Sequence, residues 1–368
     1  MSTMPSGRNR FALALVLGVA LAATTGCGFS GETVDRVGQG DGVGVPARHA
    51  TVVLDGCAPD PWQASALASP DMRRAVQEVV VLCAVPRVSG AVGPTDTSAR
   101  AQIAQAAATL QQQGYKVMLG VQFADETAER YDGGQTASQL KSPTWRTAVI
   151  ADLKDLARSY DGLELVFHDL PPSARGDLSL LVQSLGVAVR PSKKVGIFAP
   201  PSTTSPSDVF GGDAFDLPAL SQWLDRVRVM TLDYADPNSG PTIDPGWAVD
   251  AVRFAQARAG AVPVDVAVPL YGNDVSNLGT RNVSYFEALA LAADYHAAPD
   301  TGPTGALHLA YADAAGRGHD LWYDDASSTL RTLRAWGPQV LPLSVGVVYY
   351  GLGNEDPALW PALSRALP

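Results

Sequence analysis

The chain is poor in cysteine, has no surplus of positive charge, and lacks an apolar run long enough to cross a bilayer comfortably. Three Cys in 368 residues cannot build a disulfide scaffold. None has a partner at zinc-ligand spacing, so no metal is expected. Asp and Glu outnumber Lys and Arg by 37 to 27, for a formal charge of −10, which excludes the basic footprint of a nucleic-acid binder. Gly-rich phosphate loops of the dinucleotide or P-loop type are missing as well, and no cofactor is expected.

What is present begins with Arg8 and Arg10, the apolar run Phe11 to Ala23, and Thr24-Thr25-Gly26-Cys27. A positive segment, a short apolar segment and small residues form an export signal, and the run is too short for a membrane span. A Cys after a small residue at this point resembles the bacterial lipobox, in which the Cys is lipidated and becomes the mature N-terminus. Residues 1–27 thus read as a signal peptide with a lipid anchor at Cys27, holding an exported envelope protein at a membrane. Thr24 stands where Leu is usual, which leaves cleavage and release as the alternative. Residues 28–48, Gly-rich and without periodicity, read as a flexible tether.

From there on, short apolar strands alternate with helical patterns. The strands are Thr51–Leu54, Val79–Val85, Lys116–Phe123, Leu163–Phe167, Lys194–Ala199, Val227–Leu232, Val264–Leu270 and Ser344–Tyr350. Eight of them predict an α/β protein, a (β/α)8 TIM barrel over residues 49–368. An open doubly wound sheet is the alternative, but the phosphate loop that would favour it is absent. Ser98–Gln113 and Trp145–Tyr160 carry helical spacing, the second after a Ser-Pro pair suited to a helix start. Between the seventh and eighth strands, Leu307–Asp324 reads as a β-hairpin insertion turning at Ala315-Gly316-Arg317-Gly318, one wall of a cleft. Cys57 and Cys83 follow or end the first two strands; they pair as a disulfide in an oxidising compartment or remain two buried thiols.

The fourth strand carries the most information. In Asp161-Gly162-Leu163-Glu164-Leu165-Val166-Phe167-His168-Asp169-Leu170-Pro171-Pro172, alternation puts Glu164, Val166 and His168 inward and Leu163, Leu165 and Phe167 outward. Titratable groups then emerge at the C-terminal tip, where barrel enzymes keep their chemistry. The stretch resembles the fourth-strand signature of family-18 glycoside hydrolases, the chitinases and spore cortex-lytic enzymes: Asp-Gly-x-Asp-x-Asp-Phe/Trp-Glu. Val229-Met230-Thr231-Leu232-Asp233-Tyr234 resembles their sixth strand, and Val268-Pro269-Leu270-Tyr271-Gly272 their seventh. Leu321 to Ser327 and Gly346 to Asp356 resemble the closing region of the cortex-lytic branch.

The resemblance implies substrate-assisted hydrolysis, in which a Glu protonates the glycosidic oxygen while an inward Asp and a Tyr orient the substrate's acetamido group. Mapped onto this chain, the acid is His168, the Asp is Val166, the Tyr is Leu232, and the Trp under the sugar is Tyr350. The catalytic motif is degenerate, with His168 replacing the usual Glu. The implied partner is an N-acetylglucosamine-containing glycan of the peptidoglycan or chitin type, bound or weakly hydrolysed. The alternatives are a hydrolase with a rebuilt acid/base site and a non-catalytic scaffold binding an envelope protein. Candidate catalytic residues are His168, Asp169 and Asp233; candidate substrate contacts are Glu164, Tyr234, Tyr271 and Tyr350. Trp322 offers a stacking face or fills the outer core. His296, His308 and His319 lack ligand spacing and read as surface residues.

Overall fold

Eight parallel strands close on themselves in the computed structural model, which describes residues 49–94, 97–124, 132–236, 238–337 and 345–367. The expected signal peptide, Cys27 and the tether lie outside these residues. In chain order the strands are β1 (Ala50–Asp55), β2 (Glu78–Pro86), the short β3 (Val92–Gly93), β4 (Lys116–Phe123), β5 (Gly162–Phe167), β6 (Lys194–Ala199), β7 (Arg226–Val229), β8 (Val264–Pro269), β9 (Gly272–Ser276), β10 (Gly279–Val283), β11 (Asp300–Thr301), β12 (Leu307–Ala312), β13 (Gly318–Tyr323) and β14 (Val347–Tyr350). The barrel runs β1-β14-β8-β7-β6-β5-β4-β2, and the parallel pairing of β1 with β2 closes it.

The predicted strands all form, but the eighth begins only at Val347, with Val345 and Gly346 outside it, and the sixth is cut short at its other end. β7 ends at Val229 instead of continuing to Leu232, because the Thr231 amide turns back to the Val229 carbonyl and its hydroxyl donates to Ala267 O at 2.6 Å. Helices Thr97–Gln112 and Pro143–Leu156 fill the predicted helical segments, the second capped by the Ser142 hydroxyl with Pro143 in its first turn. The Sγ atoms of Cys57 and Cys83 are bonded, with their Cα atoms 4.7 Å apart. The bond ties the loop after β1 to β2.

The alternation along β5 separates two apolar cores. Leu163, Leu165 and Phe167 join the outer core between strands and helices. Val166 joins a smaller inner cluster with Val53, Val80, Phe198 and Val348. Beneath that layer the barrel holds charge. Arg228, 1% exposed, forms an ion pair from Nε with Glu164 at 2.9 Å, and its terminal nitrogens donate to the Thr51 hydroxyl at 2.8 Å and also to Glu78 and Asp265. Arg226 supplies a second guanidinium to Asp265 at 2.6 Å. Gly196 is required here, since a Cβ at that position would run into the Glu164 carboxylate.

The insertion between β8 and β14 is larger than the predicted hairpin. The hairpin forms as β12 and β13, but within a five-stranded antiparallel sheet of order β10-β9-β13-β12-β11. One face packs on helix Tyr285–Asp294 through a core of its own, Val283, Ala288, Leu309, Leu321 and Tyr323. The other face looks across the mouth of the barrel, as the contacts of Asn273 establish below.

Candidate active site

The C-terminal tips of β5 and β7 carry the two candidate carboxylates, and both sit on left-handed backbone. Asp169 and Asp233 each have φ of 55°, a conformation Asp tolerates better than bulkier residues and one that recurs at functional sites. The Asp169 turn is held from both sides by glycine: a Cβ on Gly133 would overlap the Asp169 carbonyl, and Gly211, itself at φ 86°, packs against the Asp169 backbone. The left-handed step leaves Asp169 exposed, and partial burial moves its carboxyl above the ordinary range.

Asp233 is enclosed. The Tyr271 hydroxyl donates to its two oxygens at 3.1 and 3.0 Å, and the Asn273 amide donates to one of them at 2.9 Å. Asn273 in turn accepts from the Asn282 amide at 3.2 Å. Burial raises the Asp233 carboxyl against the lowering effect of these donors, and burial beside that carboxylate also raises the Tyr271 phenol well above its usual value. The cleft therefore contains a fixed acceptor surrounded by neutral donors.

His168 lies beside the inner apolar layer, and burial pushes its imidazole down to about 4. At that value the ring is neutral near pH 7 and has no proton to give a leaving group. The sign is checkable: the unfolded chain binds the proton from pH ~6.5 downward, so stability is lost as pH falls from that value toward 4. Observation of the His168 ring by NMR should show titration near pH 4; a midpoint above 6 would restore it as a candidate acid.

The other predicted contacts divide. Tyr271 and Tyr350 line the floor, the latter edge-on to Phe198 with ring centroids 6.0 Å apart. Tyr234 leans onto Trp247 of the neighbouring helix and stays 44% exposed at the rim. Glu164 does not reach the cleft: it is 0% exposed, one layer below Val166, in the ion cluster on Arg228. Its inward direction was legible, but not the apolar layer above it. Nor are His308 and His319 plain surface residues. His308 stands 3.2 Å from both Asp300 and Asp320, and His319 lies 2.8 Å from the buried Asp274.

Sequence reading missed Asn273 and Asn282, which belong to the unpredicted strands β9 and β10. The signal was the turn residues Ser276-Asn277-Leu278-Gly279 between two short alternating segments. Asn273 shows which face of the inserted sheet meets the cleft. Residues directly across the ladder share a face, and its row runs Asn282, Asn273, Trp322, His308, Asp300. Trp322 donates to the Ser239 hydroxyl at 3.0 Å and stacks near His308, centroids 4.5 Å apart. Gly302 leaves room for that indole. An aromatic plate, amides, a carboxylate and hydroxyls thus meet where the inserted sheet adjoins the C-terminal tip of β7.

No protein-family model matches the chain. Among curated proteins it is 24% identical over 246 residues to the uncharacterized glycosylase YvbX of Bacillus subtilis strain 168, covering 64% of this chain and 70% of that protein. It spans about half the length of two other curated matches, a putative sporulation-specific glycosylase and a cortical fragment-lytic enzyme. Among solved structures, a chitinase from Chromobacterium violaceum superposes with a TM-score of 0.72 at 23% identity, over 86% of this chain and 98% of that one. The Bacillus cereus spore cortex-lytic enzyme SleL superposes with a TM-score of 0.69 at 19% identity, over 87% and 75%. The fold is that of the chitinases and cortex-lytic enzymes.

Proposed function

We propose that this chain is an exported protein that recognises an N-acetylglucosamine-containing envelope glycan in the cleft above β5, β7 and the inserted sheet, and binds it with little or no hydrolysis. The observation that carries the reading is the mismatch between the two halves of the site. The recognition half keeps polar and aromatic groups, with Asp233 held by Tyr271 and Asn273 and with Tyr350 and Trp322 as ring faces, the equipment for sugar rings. The reaction half is not: Val166 and Leu232 offer no hydrogen bond, and His168 is neutral. Loss of oriented polar contacts at a reacting centre costs about 10²–10³ each in rate. Lipid attachment at Cys27 fits a protein that meets envelope glycan at a membrane surface.

A hydrolase would instead use Asp169 and Asp233 as an acid/base pair, and the raised carboxyl of each is what favours it. The test is to incubate the full chain with purified peptidoglycan and with chitooligosaccharides, measuring retention on the polymer and products by mass spectrometry. We expect retention with intact glycan. Cleavage products that disappear in Asp169→Asn would replace the binding account with the hydrolase; neither retention nor cleavage would remove both.

A further inference from the structure

Resting on the reading that the cleft holds an envelope glycan, we infer that the sugar unit it selects carries a free amine, a de-N-acetylated glucosamine, where an acetylated chain would present an acetamido group. Asp233 is an enclosed carboxylate whose donors, Tyr271 and Asn273, are both neutral. The charged neighbour acting on it is Asp236, another carboxylate, bonded to the Thr280 hydroxyl on the same side of the sheet at 2.6 Å. Among the described residues no Lys or Arg forms an ion pair with either.

The wall opposite continues the pattern. The ladder places Asp320 and Asp300 on the face that carries Asn273 and Trp322, and the described strand residues of that face include neither Lys nor Arg. Arg281, the guanidinium of β10, sits on the reverse face and is taken by Asp274 and Glu287. His308 contributes at most one positive charge and is shared by Asp300 and Asp320.

Removing a carboxylate from water without a cation is unfavourable, and an ammonium brought by the ligand would offset that cost. A neutral acetamido group would not. The Trp322 ring adds a surface on which a cationic sugar can stack. Four carboxylates on the side of the sheet that carries Asn273 and Trp322, with neither Lys nor Arg among the described strand residues of that face, match a polyamine sugar better than a neutral one.

The experiment compares binding of the full chain to three pentasaccharides of equal length, made of glucosamine, N-acetylglucosamine or glucose, by titration calorimetry. The glucosamine pentamer should bind at least about tenfold more tightly than the acetylated one, a difference of about 1.4 kcal/mol. Asp233→Asn should bring the two within about twofold, and Asp236→Asn should reduce the preference by about threefold. Asp250→Asn, on an exposed helix face, should change nothing, which separates the cleft from general attraction of a polycation to an acidic chain. Thermal melts establish that each variant folds, and Asp236→Asn carries the test if Asp233→Asn does not. Equal or tighter binding of the acetylated pentamer, or a preference that survives the cleft variants, would overturn the inference and leave glycan recognition standing. Failure of all three pentamers to bind would overturn both.

Discussion

Arg228→Met should destabilise the barrel by about 3–5 kcal/mol in urea unfolding. The guanidinium is the hub on which Glu164, Glu78 and Asp265 meet. Removing it leaves buried carboxylates facing one another, with Arg226 beside Asp265 and His49 beside Glu78 at the edge. Glu164→Gln makes the informative contrast. Crowding by burial and by the other carboxylates pushes Glu164 up to about 7, against the pull of Arg228. A carboxyl raised on folding contributes stability that is present below its ordinary value and is lost as pH rises through 7. The Gln variant should therefore flatten the stability profile between pH 5 and 8 while keeping the fold. A loss below about 1 kcal/mol in Arg228→Met would mean that the cluster is hydrated and weakly coupled.

Gly133→Ala comes second, with an expected cost of about 3 kcal/mol, because its new Cβ would meet the backbone carbonyl of Asp169 and not a side chain able to swing away. The same change should weaken glycan retention, since the displaced turn carries His168 and Asp169 into the cleft. Gly176→Ala is the matched control. It lies within the helix Arg175–Val189 with open space where its Cβ would go, and should gain about 0.5–1 kcal/mol. Equal melting curves for the two variants would show that the Asp169 turn adapts freely.

The barrel was legible because parallel strands buried on both faces read as continuous apolar runs, and period-two alternation sorts Val166 from Leu165 and Phe167. The floor of the site was partly legible for a different reason: Asp233 and Tyr271 stand in segments 229–234 and 268–272, which resemble the sixth- and seventh-strand motifs of the family-18 hydrolases. The fate of Glu164 was not, since Arg228 becomes its neighbour only when β5 and β7 close around the same interior. Nor did periodicity give the left-handed steps at Asp169 and Asp233, which are fixed by Gly133 and Gly211 at one and by Tyr271 and Asn273 at the other. β9 and β10 escaped because strands of five residues, polar on one side and half-exposed, carry little apolar signal.

The inserted sheet rests on its own apolar core, separate from the two cores of the barrel. The floor of the cleft and its wall therefore draw their stability from different sets of side chains. Substitutions on the cleft-facing side of β12 and β13 leave the barrel strands untouched, whereas Asn273 of β9 and its partner Asn282 of β10 are tied to Asp233. The site is thus a junction of two independently packed bodies, a base held by barrel closure and a wall held by its own core, which meet at Asp233, Tyr271 and Asn273.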